Sequence, residues 1–130
     1  MNNIKIEATE RSPDIDFNFA ENNFSIRGES YPEDVSEFFG KITQQFYEYV
    51  ADLADTELTF TFELIYFNSS TAKVLMGLFD RLDEIAEEGN KIIINWCFEE
   101  DDDNMEELGE EFGEDLEHAE FNLVPKETDE

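Results

Sequence analysis

The chain has 130 residues, enough for one domain with a core of its own. Its 35 acidic and 8 basic residues give a formal net charge of −27 at pH 7, which argues against binding to the phosphates of nucleic acids or of anionic lipids. Thirteen phenylalanines, four tyrosines and one tryptophan supply apolar surface that a disordered acidic chain would lack. We therefore expect an acidic, folded module that binds other proteins.

The first 28 residues alternate apolar and polar side chains with a period of two, which predicts three short strands, paired antiparallel. At Ser30 the period changes. Ser30 and Glu33 have the spacing of a capping box, and Pro32 is compatible with a first helical turn. The apolar residues beyond it recur every three or four positions. This spacing predicts one long amphipathic helix, running roughly from Pro32 to Ala54.

The second half of the chain alternates strands with helices. Residues 57–67 predict a strand whose last part is buried on both faces. A helix follows directly after Asn68 and stops at Gly89. Residues 91–98 are mostly apolar and predict a buried strand. Cys97 lies within this apolar run and is therefore expected to be a small buried residue. Because it is the single cysteine, an internal disulfide is excluded.

Residues 99–120 carry thirteen Asp and Glu residues and no Lys or Arg. Their apolar residues keep helical spacing, which predicts a short, very acidic helix weakened by Gly109 and Gly113. Phe121 and Leu123 then predict a last edge strand. The order β-β-β-α-β-α-β-α-β predicts an α/β fold in which helices pack against a mixed sheet.

The domain organisation follows from the same pattern. Residues 1–126 are expected to form one domain, and residues 127–130 a loose acidic tail. The N-terminus lacks a charged-then-apolar signal segment, and no apolar run approaches the length that spans a membrane. These features predict a cytoplasmic protein without membrane insertion.

Few residues offer catalytic or metal-binding chemistry. The single histidine, His118, has no cysteine near it, which argues against a zinc site and against a histidine-activated nucleophile. The acidic run at residues 99–103 lacks the glycine spacing of an EF-hand. We therefore expect no enzymatic activity, no cofactor and no dedicated metal site.

The segment that stands out is residues 66–73, where a strand leads into a helix through three consecutive hydroxyls. Capping alone explains one polar residue here, either Asn68 or Ser69. A helix N-terminus also has free N–H groups that accommodate a phosphate, so Ser69, Ser70 and Thr71 are candidate phosphorylation sites. A phosphate adds about −1.5 to −2 charges, which is little beside the total, so such a switch would have to act locally.

Two stretches of the sequence resemble the SiaC family of bacterial regulatory phosphoproteins. They are Gly28-Glu29-Ser30-Tyr31-Pro32-Glu33, followed by Phe38-Phe39, and Tyr66-Phe67-Asn68-Ser69-Ser70-Thr71-Ala72-Lys73. The resemblance extends over nearly the whole chain. A strand that leads into a hydroxyl-rich helix start is also similar, more distantly, to the STAS domains of anti-sigma factor antagonists. The resemblance therefore implies a single STAS-like regulatory domain.

What the resemblance implies about function is a partner switch. In the family, a cognate Ser/Thr protein kinase phosphorylates a hydroxyl that follows the motif asparagine, and a PP2C-type phosphatase removes the phosphate. The matching residue here is Ser69, with Ser70 and Thr71 as alternatives. In the best-described pathway the unphosphorylated form binds and activates a diguanylate cyclase, which raises cyclic di-GMP and promotes aggregation or biofilm formation. The partner-binding residues implied are Asn68, Ser70, Thr71, Lys73, Tyr31, Pro32 and Glu33.

The charge alone supports a different hypothesis, a constitutive acidic binding module with no phosphoswitch. Such a module would mimic nucleic acid and occupy basic protein surfaces through the charge of residues 99–120. The two hypotheses can be separated by experiment. A mimic would lose binding in salt and through mutations of its acidic face, whereas a switch would lose it through Ser69→Asp.

Overall fold

The computed structural model describes residues 2–127, and within them the chain forms six strands and three helices in the predicted order. The strands are β1 (Ile4–Ile6), β2 (Asp14–Asn18), β3 (Asn23–Ser30), β4 (Glu57–Phe67), β5 (Lys91–Glu99) and β6 (Glu120–Lys126), and the helices are α1 (Val35–Val50), α2 (Ser69–Glu87) and α3 (Asp103–Gly113). The expected acidic tail, residues 127–130, lies outside the described residues except for Glu127, which is exposed and outside any element.

All six strands belong to one sheet, in which their spatial order is their order along the chain. Strands β1, β2 and β3 pair antiparallel, as predicted, whereas β3, β4, β5 and β6 run parallel. A helix connects each parallel pair. Because such crossovers are right-handed and the chain moves across the sheet in one direction, all three helices pack on the same face. The mixed α/β fold predicted from the sequence is confirmed.

Aromatic rings fill the space between α1 and the sheet. Phe46 of α1 packs against Phe17, Phe24 and Phe60, at ring-centroid distances of 5.8, 5.0 and 5.4 Å. All four side chains are fully buried. The three sheet residues face one another across β2, β3 and β4 because they are register partners. The period-two pattern of the first strands therefore forms one wall of the core.

Helix α3 is held against the sheet by Trp96 of β5. The indole N–H of Trp96 donates a hydrogen bond to the Met105 carbonyl at 3.0 Å, and its ring lies 5.3 Å from that of Phe112. Gly109 permits this approach, since a Cβ at that position would lie 2.4 Å from Cδ1 of Trp96. Gly113 faces Phe121 in the same way, with a Cβ at 2.5 Å. The two glycines thus allow close packing of the acidic helix.

The predicted capping box at Ser30 and Glu33 is wrong. Ser30 is the last residue of β3 and is fully buried, and α1 begins five residues later. The cap is Asp34, whose carboxylate accepts a hydrogen bond from the Glu37 N–H at 3.0 Å. A local spacing rule placed the cap on Ser30, but the hydroxyl of Ser30 is engaged in a contact with a distant part of the chain, described below.

The other boundaries differ less. Helix α1 ends at Val50 rather than near Ala54; the chain turns at residues 51–52, and Asp55 beyond them adopts a left-handed φ of +50°. Helix α2 starts directly after Asn68, as predicted, and Gly89 with φ +106° follows its end. Cys97 is 5% exposed, and burial raises the pKa of its thiol, which confirms its predicted buried position.

Candidate functional site

The two motifs singled out in the sequence lie side by side in the structure, at the carboxyl edge of β3 and β4. Ser30, the last residue of β3, is the register partner of Phe67, the last residue of β4. The Asn68 N–H donates a hydrogen bond to the Ser30 carbonyl at 3.1 Å. Strands β3 and β4 therefore end side by side, and the chain leaves the sheet next to Ser30 in the first motif and at Asn68 in the second. The carboxyl edge is the usual location of binding sites in open sheets with parallel strands.

Ser30 and Thr71 join the motifs in the protein interior. Both are 0% exposed. The Thr71 hydroxyl donates to the Ser30 carbonyl at 3.2 Å, and Ser30 Oγ lies 3.0 Å from Thr71 Oγ1. Because the single proton of the Thr71 hydroxyl is used on the carbonyl, the Ser30 hydroxyl donates to Thr71 Oγ1. The pair is therefore satisfied only when both hydroxyls are present.

Asn68 caps helix α2. Its backbone is extended, with φ −86° and ψ 174°, and its side-chain oxygen accepts the Thr71 N–H at 2.9 Å. Of the two capping residues that the sequence allowed, Asn68 is the cap. Ser69 and Ser70 are consequently the first two helical residues, and both are exposed. Their hydroxyls lie beside backbone N–H groups that have no partner within the helix.

The three consecutive hydroxyls therefore have different surroundings. Thr71 is buried against Ser30, and an enzyme could reach its hydroxyl only if the helix start opened. Ser69 and Ser70 face solvent without such a change. Accessibility thus favours the two serines as sites of modification.

An aromatic pair joins the two motifs. The ring of Tyr31, in the loop after β3, meets the ring of Tyr66 edge to face at a centroid distance of 5.7 Å. Tyr66 is 53% exposed, which is unusual for so large a side chain. Pro32 is half-buried and Glu33 is exposed in the same loop. The structure thus brings the predicted residues of the first motif next to Tyr66 of the second motif.

The electrostatics of the α2 start are unlike those of the other helices. Its cap is a neutral asparagine, and its first turn contains no acidic residue. Lys73 is exposed and follows Ser69 by four residues, which is one helical turn. The positive end of the helix dipole is therefore not neutralised by a carboxylate of the first turn at this position.

A groove between α2 and α3, which the sequence analysis missed, has a volume of about 520 Å³. Its apolar lining includes Phe67, Ala72, Met76, Phe79, Phe112 and Leu116. The signal that could have revealed it is Met76, a large apolar residue between the core positions of α2, which is 54% exposed.

Among residues 2–127, no group of three or more His, Cys, Asp and Glu side chains could hold a metal ion. His118 is exposed, and its Nε2 lies 3.9 Å from a Glu87 carboxylate oxygen. No helix in this described range is both long and apolar enough to cross a membrane.

The fold and the site define a two-layer α/β module with a solvent-facing, hydroxyl-rich helix start. Residues 6–126 match the sequence model of the family described as "SiaC family regulatory phosphoprotein". The chain belongs to this family, and the resemblance seen in its two motifs is confirmed.

Comparison with individual proteins agrees. An uncharacterized protein of Pseudomonas aeruginosa (strain UCBPP-PA14) is 30% identical over 115 residues, which span 88% of this chain and 90% of the relative. The crystal structure of apo-SiaC from Pseudomonas aeruginosa superposes with a TM-score of 0.85 at 31% identity, over 95% of this chain and 99% of that one. A further similar structure is that of the diguanylate cyclase SiaD in complex with its activator SiaC from the same species, with a TM-score of 0.84 at 28% identity, over 92% of this chain and 98% of that one.

Proposed function

We propose that this protein is a partner-switching regulator whose helix α2 is phosphorylated at Ser69, and whose unphosphorylated form binds and regulates a diguanylate cyclase. Ser69 is the first candidate because it directly follows the capping asparagine, and Ser70 is the second because it is also exposed. Family membership supports the regulatory role. The similar SiaC chain that was crystallised with the cyclase SiaD supports the choice of target.

The observation that carries this proposal is the start of α2 in a molecule of net charge −27. Helices α1 and α3 are capped by Asp34 and Asp102, and both have acidic residues in their first turns. Helix α2 instead has an asparagine cap, two exposed serines and a lysine one turn on. A phosphate is attracted to free N–H groups and to the positive helix end, and it is repelled by nearby carboxylates. The start of α2 is therefore the helix start best suited to carry one.

The effect of a phosphate there would be local. Tyr31 and Tyr66 pack together in the two segments that meet at this edge of the sheet. A partner that covers both this tyrosine pair and the start of α2 would have to desolvate the phosphate as well. Phosphorylation would thus release the target, while the total charge of the protein would change little. The cap and the Ser30–Thr71 contact would keep the helix folded in both states.

The remaining parts of the pathway follow from this assignment. A cognate Ser/Thr protein kinase would add the phosphate and a PP2C-type phosphatase would remove it, and the module itself would not be an enzyme. It would act in the cytoplasm, and through cyclic di-GMP it would influence biofilm formation or aggregation.

The first test is intact-mass and peptide mass spectrometry on the protein isolated from its native cells, with a phosphatase-treated control. We expect one phosphate, on Ser69 or Ser70. A phosphate on Thr71 would mean that the helix start opens for the kinase. Absence of phosphate under every growth condition would reject the switch and would favour the constitutive acidic binding module.

The second test measures binding of the diguanylate cyclases of the source organism to Ser69→Asp, with Ser36→Asp as the matched control. Ser36 is an exposed serine in the first turn of α1, so its substitution makes the same change of charge at a different helix start. We expect Ser69→Asp to weaken binding by about tenfold or more, which corresponds to about 1.4 kcal/mol, and Ser36→Asp to leave it unchanged. Equal effects of the two variants would contradict a local switch.

A further inference from the structure

The groove between α2 and α3 has the size and the composition of a binding site. Its volume of about 520 Å³ lies within the usual range of about 300–1,000 Å³ for ligand pockets. Apolar side chains of both helices line it, together with Phe67 at the end of β4. The proposed phosphoswitch makes no use of most of this surface.

Met76 marks the groove as a contact surface. Most large apolar side chains of this protein are buried, whereas Met76 is 54% exposed in the middle of α2. Methionine is a flexible and polarisable side chain that adapts to apolar partners. Three other groove residues lie on the same face of the helix as Met76. Ala72 precedes Met76 by four residues, and Phe79 and Asp83 follow it by three and by seven residues.

The rim of the groove is acidic. Asp80, Asp83 and Glu84 of α2 lie on one side, and Glu111 of α3 with Asp115, which follows that helix, lies on the other. Such a rim attracts a cationic occupant and repels both an anionic ligand and a second copy of a chain with net charge −27.

The shape selects a helical occupant. From Ala72 to Asp83 the groove follows α2 for eleven residue steps, or about 16 Å at 1.5 Å per residue. This length matches about three turns of a helix laid along the two that form the walls. An amphipathic helix docks in such grooves with apolar residues at i, i+3 or i+4, and i+7.

We propose that the groove between α2 and α3 binds a basic amphipathic helix of a protein partner, with its apolar face on Met76 and its lysines or arginines on the acidic rim. This inference rests on the proposed function to the extent that the module acts by binding proteins, and it names the kind of segment that a partner presents.

The test uses the purified, unphosphorylated full-length protein and three labelled peptides of eighteen residues, by fluorescence anisotropy. The first is a leucine–lysine peptide with helical spacing of its leucines. The second has the same composition in scrambled order, and the third replaces every lysine of the first by glutamine. We expect the first peptide to bind at least tenfold more tightly than either of the others.

Matched variants place the binding on the groove. Met76→Ser is compared with Ile65→Ser, because Ile65 is a similarly exposed apolar residue, at 58%, that does not line the groove. The double variant Glu111→Gln with Asp115→Asn is compared with Glu48→Gln with Asp52→Asn at the end of α1 and just beyond it. We expect the groove variants to weaken binding at least fivefold and both controls to leave it within twofold. Circular dichroism checks that each variant is folded.

Each other outcome overturns the proposal. Equal binding of the scrambled peptide, or equal loss in the control variants, would mean general attraction to an acidic surface. Equal binding of the glutamine peptide would mean an apolar groove without selection for charge, and no binding of the first peptide would leave the groove without this occupant. None of these measurements involves a phosphate or a cyclase, so their failure would leave the phosphoswitch to be judged by its own tests.

Discussion

The starts of helices α2 and α3 differ in the charge of their capping and first-turn residues. Helix α3 is capped by Asp102, and its first turn contains Asp103 and Glu106. Helix α2 is capped by Asn68, and its first turn contains no acid. Acidic groups stabilise the positive end of a helix dipole, so the start of α3 carries its neutralising charge permanently. The start of α2 has no such charge in its cap or first turn, and the proposed phosphate would supply one.

The two helices also differ in what fixes them to the sheet. Helix α3 depends on shape, since Trp96 packs directly against Gly109 and donates a hydrogen bond to the backbone of the helix. The start of α2 depends on hydrogen bonds, since buried Thr71 is joined to buried Ser30. We therefore expect the packing of α3 to contribute more to the free energy of unfolding, and the buried hydrogen bonds to fix the position of the start of α2. The predictions below test this division, from the largest expected effect to the smallest.

Trp96→Ala should be the most destabilising of these changes. It removes a ring that is 1% exposed and leaves a cavity beneath α3, for an expected cost of about 3–5 kcal/mol. Urea denaturation followed by far-ultraviolet circular dichroism measures the free energy of unfolding. Trp96→Phe, which keeps a ring but loses the N–H donor to Met105, is the control and should cost clearly less. Equal costs would show that the hydrogen bond, not the packing, holds α3.

Thr71→Val should cost about 1–3 kcal/mol of unfolding free energy, because it leaves the buried Ser30 hydroxyl without its acceptor. The control is Thr43→Val on α1, where the lost hydroxyl is half-buried and bonds only within its own helix, to the Phe39 and Gly40 carbonyls at 2.9 and 3.2 Å. We expect the control to cost much less. If the two substitutions cost the same, the Ser30–Thr71 contact does not fix the start of α2.

Exchanging the caps should move stability in opposite directions. Asn68→Asp gives α2 the type of start that α3 has, and it should stabilise the protein by about 0.3–1 kcal/mol at low salt. Asp102→Asn should destabilise it by a similar amount, since it removes a charge from the positive end of α3. Thermal melts at low and high salt measure both effects, and salt should reduce them. A destabilising Asn68→Asp would show that the start of α2 does not tolerate negative charge and would weaken the case for a phosphate.

The smallest effect concerns Asp83, which links α2 to the segment after α3. Partial burial raises the pKa of its carboxyl, but hydrogen bonds from the N–H groups of Ala119, His118 and Glu117 outweigh this and leave the pKa below its usual value. A pKa that is lower in the folded state gives stability that is present above the unfolded pKa and is lost as the pH falls through the folded one. Wild type should therefore be more stable than Asp83→Ala at neutral pH.

The pH dependence supplies the check on that link. The difference between wild type and Asp83→Ala, measured by urea denaturation, should persist down to about pH 4 and then shrink as the carboxyl is protonated. Asp80→Ala is the matched control, because Asp80 is an exposed acid on the same helix, whereas the N–H groups of residues 117–119 bond to Asp83. A difference that does not change with pH would mean that the charge of Asp83 does not hold residues 117–119.

Much of the fold could be predicted because its signals are local. The period-two runs, the three- and four-residue spacings and the stops at Asn68 and Gly89 are properties of neighbouring residues, and they predicted all nine elements in order. The cap at Ser30 could not be predicted from spacing, because Ser30 bonds to Thr71, 41 residues away. The groove at Met76 also escaped prediction, since it exists only where α2 and α3 meet.

The sequence by itself determined which elements form, which residues make the core and which family the chain belongs to. It also placed three hydroxyls at one helix start, but it could not rank them by accessibility. The tertiary structure makes that distinction, since the helix turns by about 100° per residue and this rotation points Thr71 at the sheet edge and Ser69 and Ser70 at solvent. Exposure depends on what packs against a residue, and here that partner is Ser30 on a strand far away in sequence.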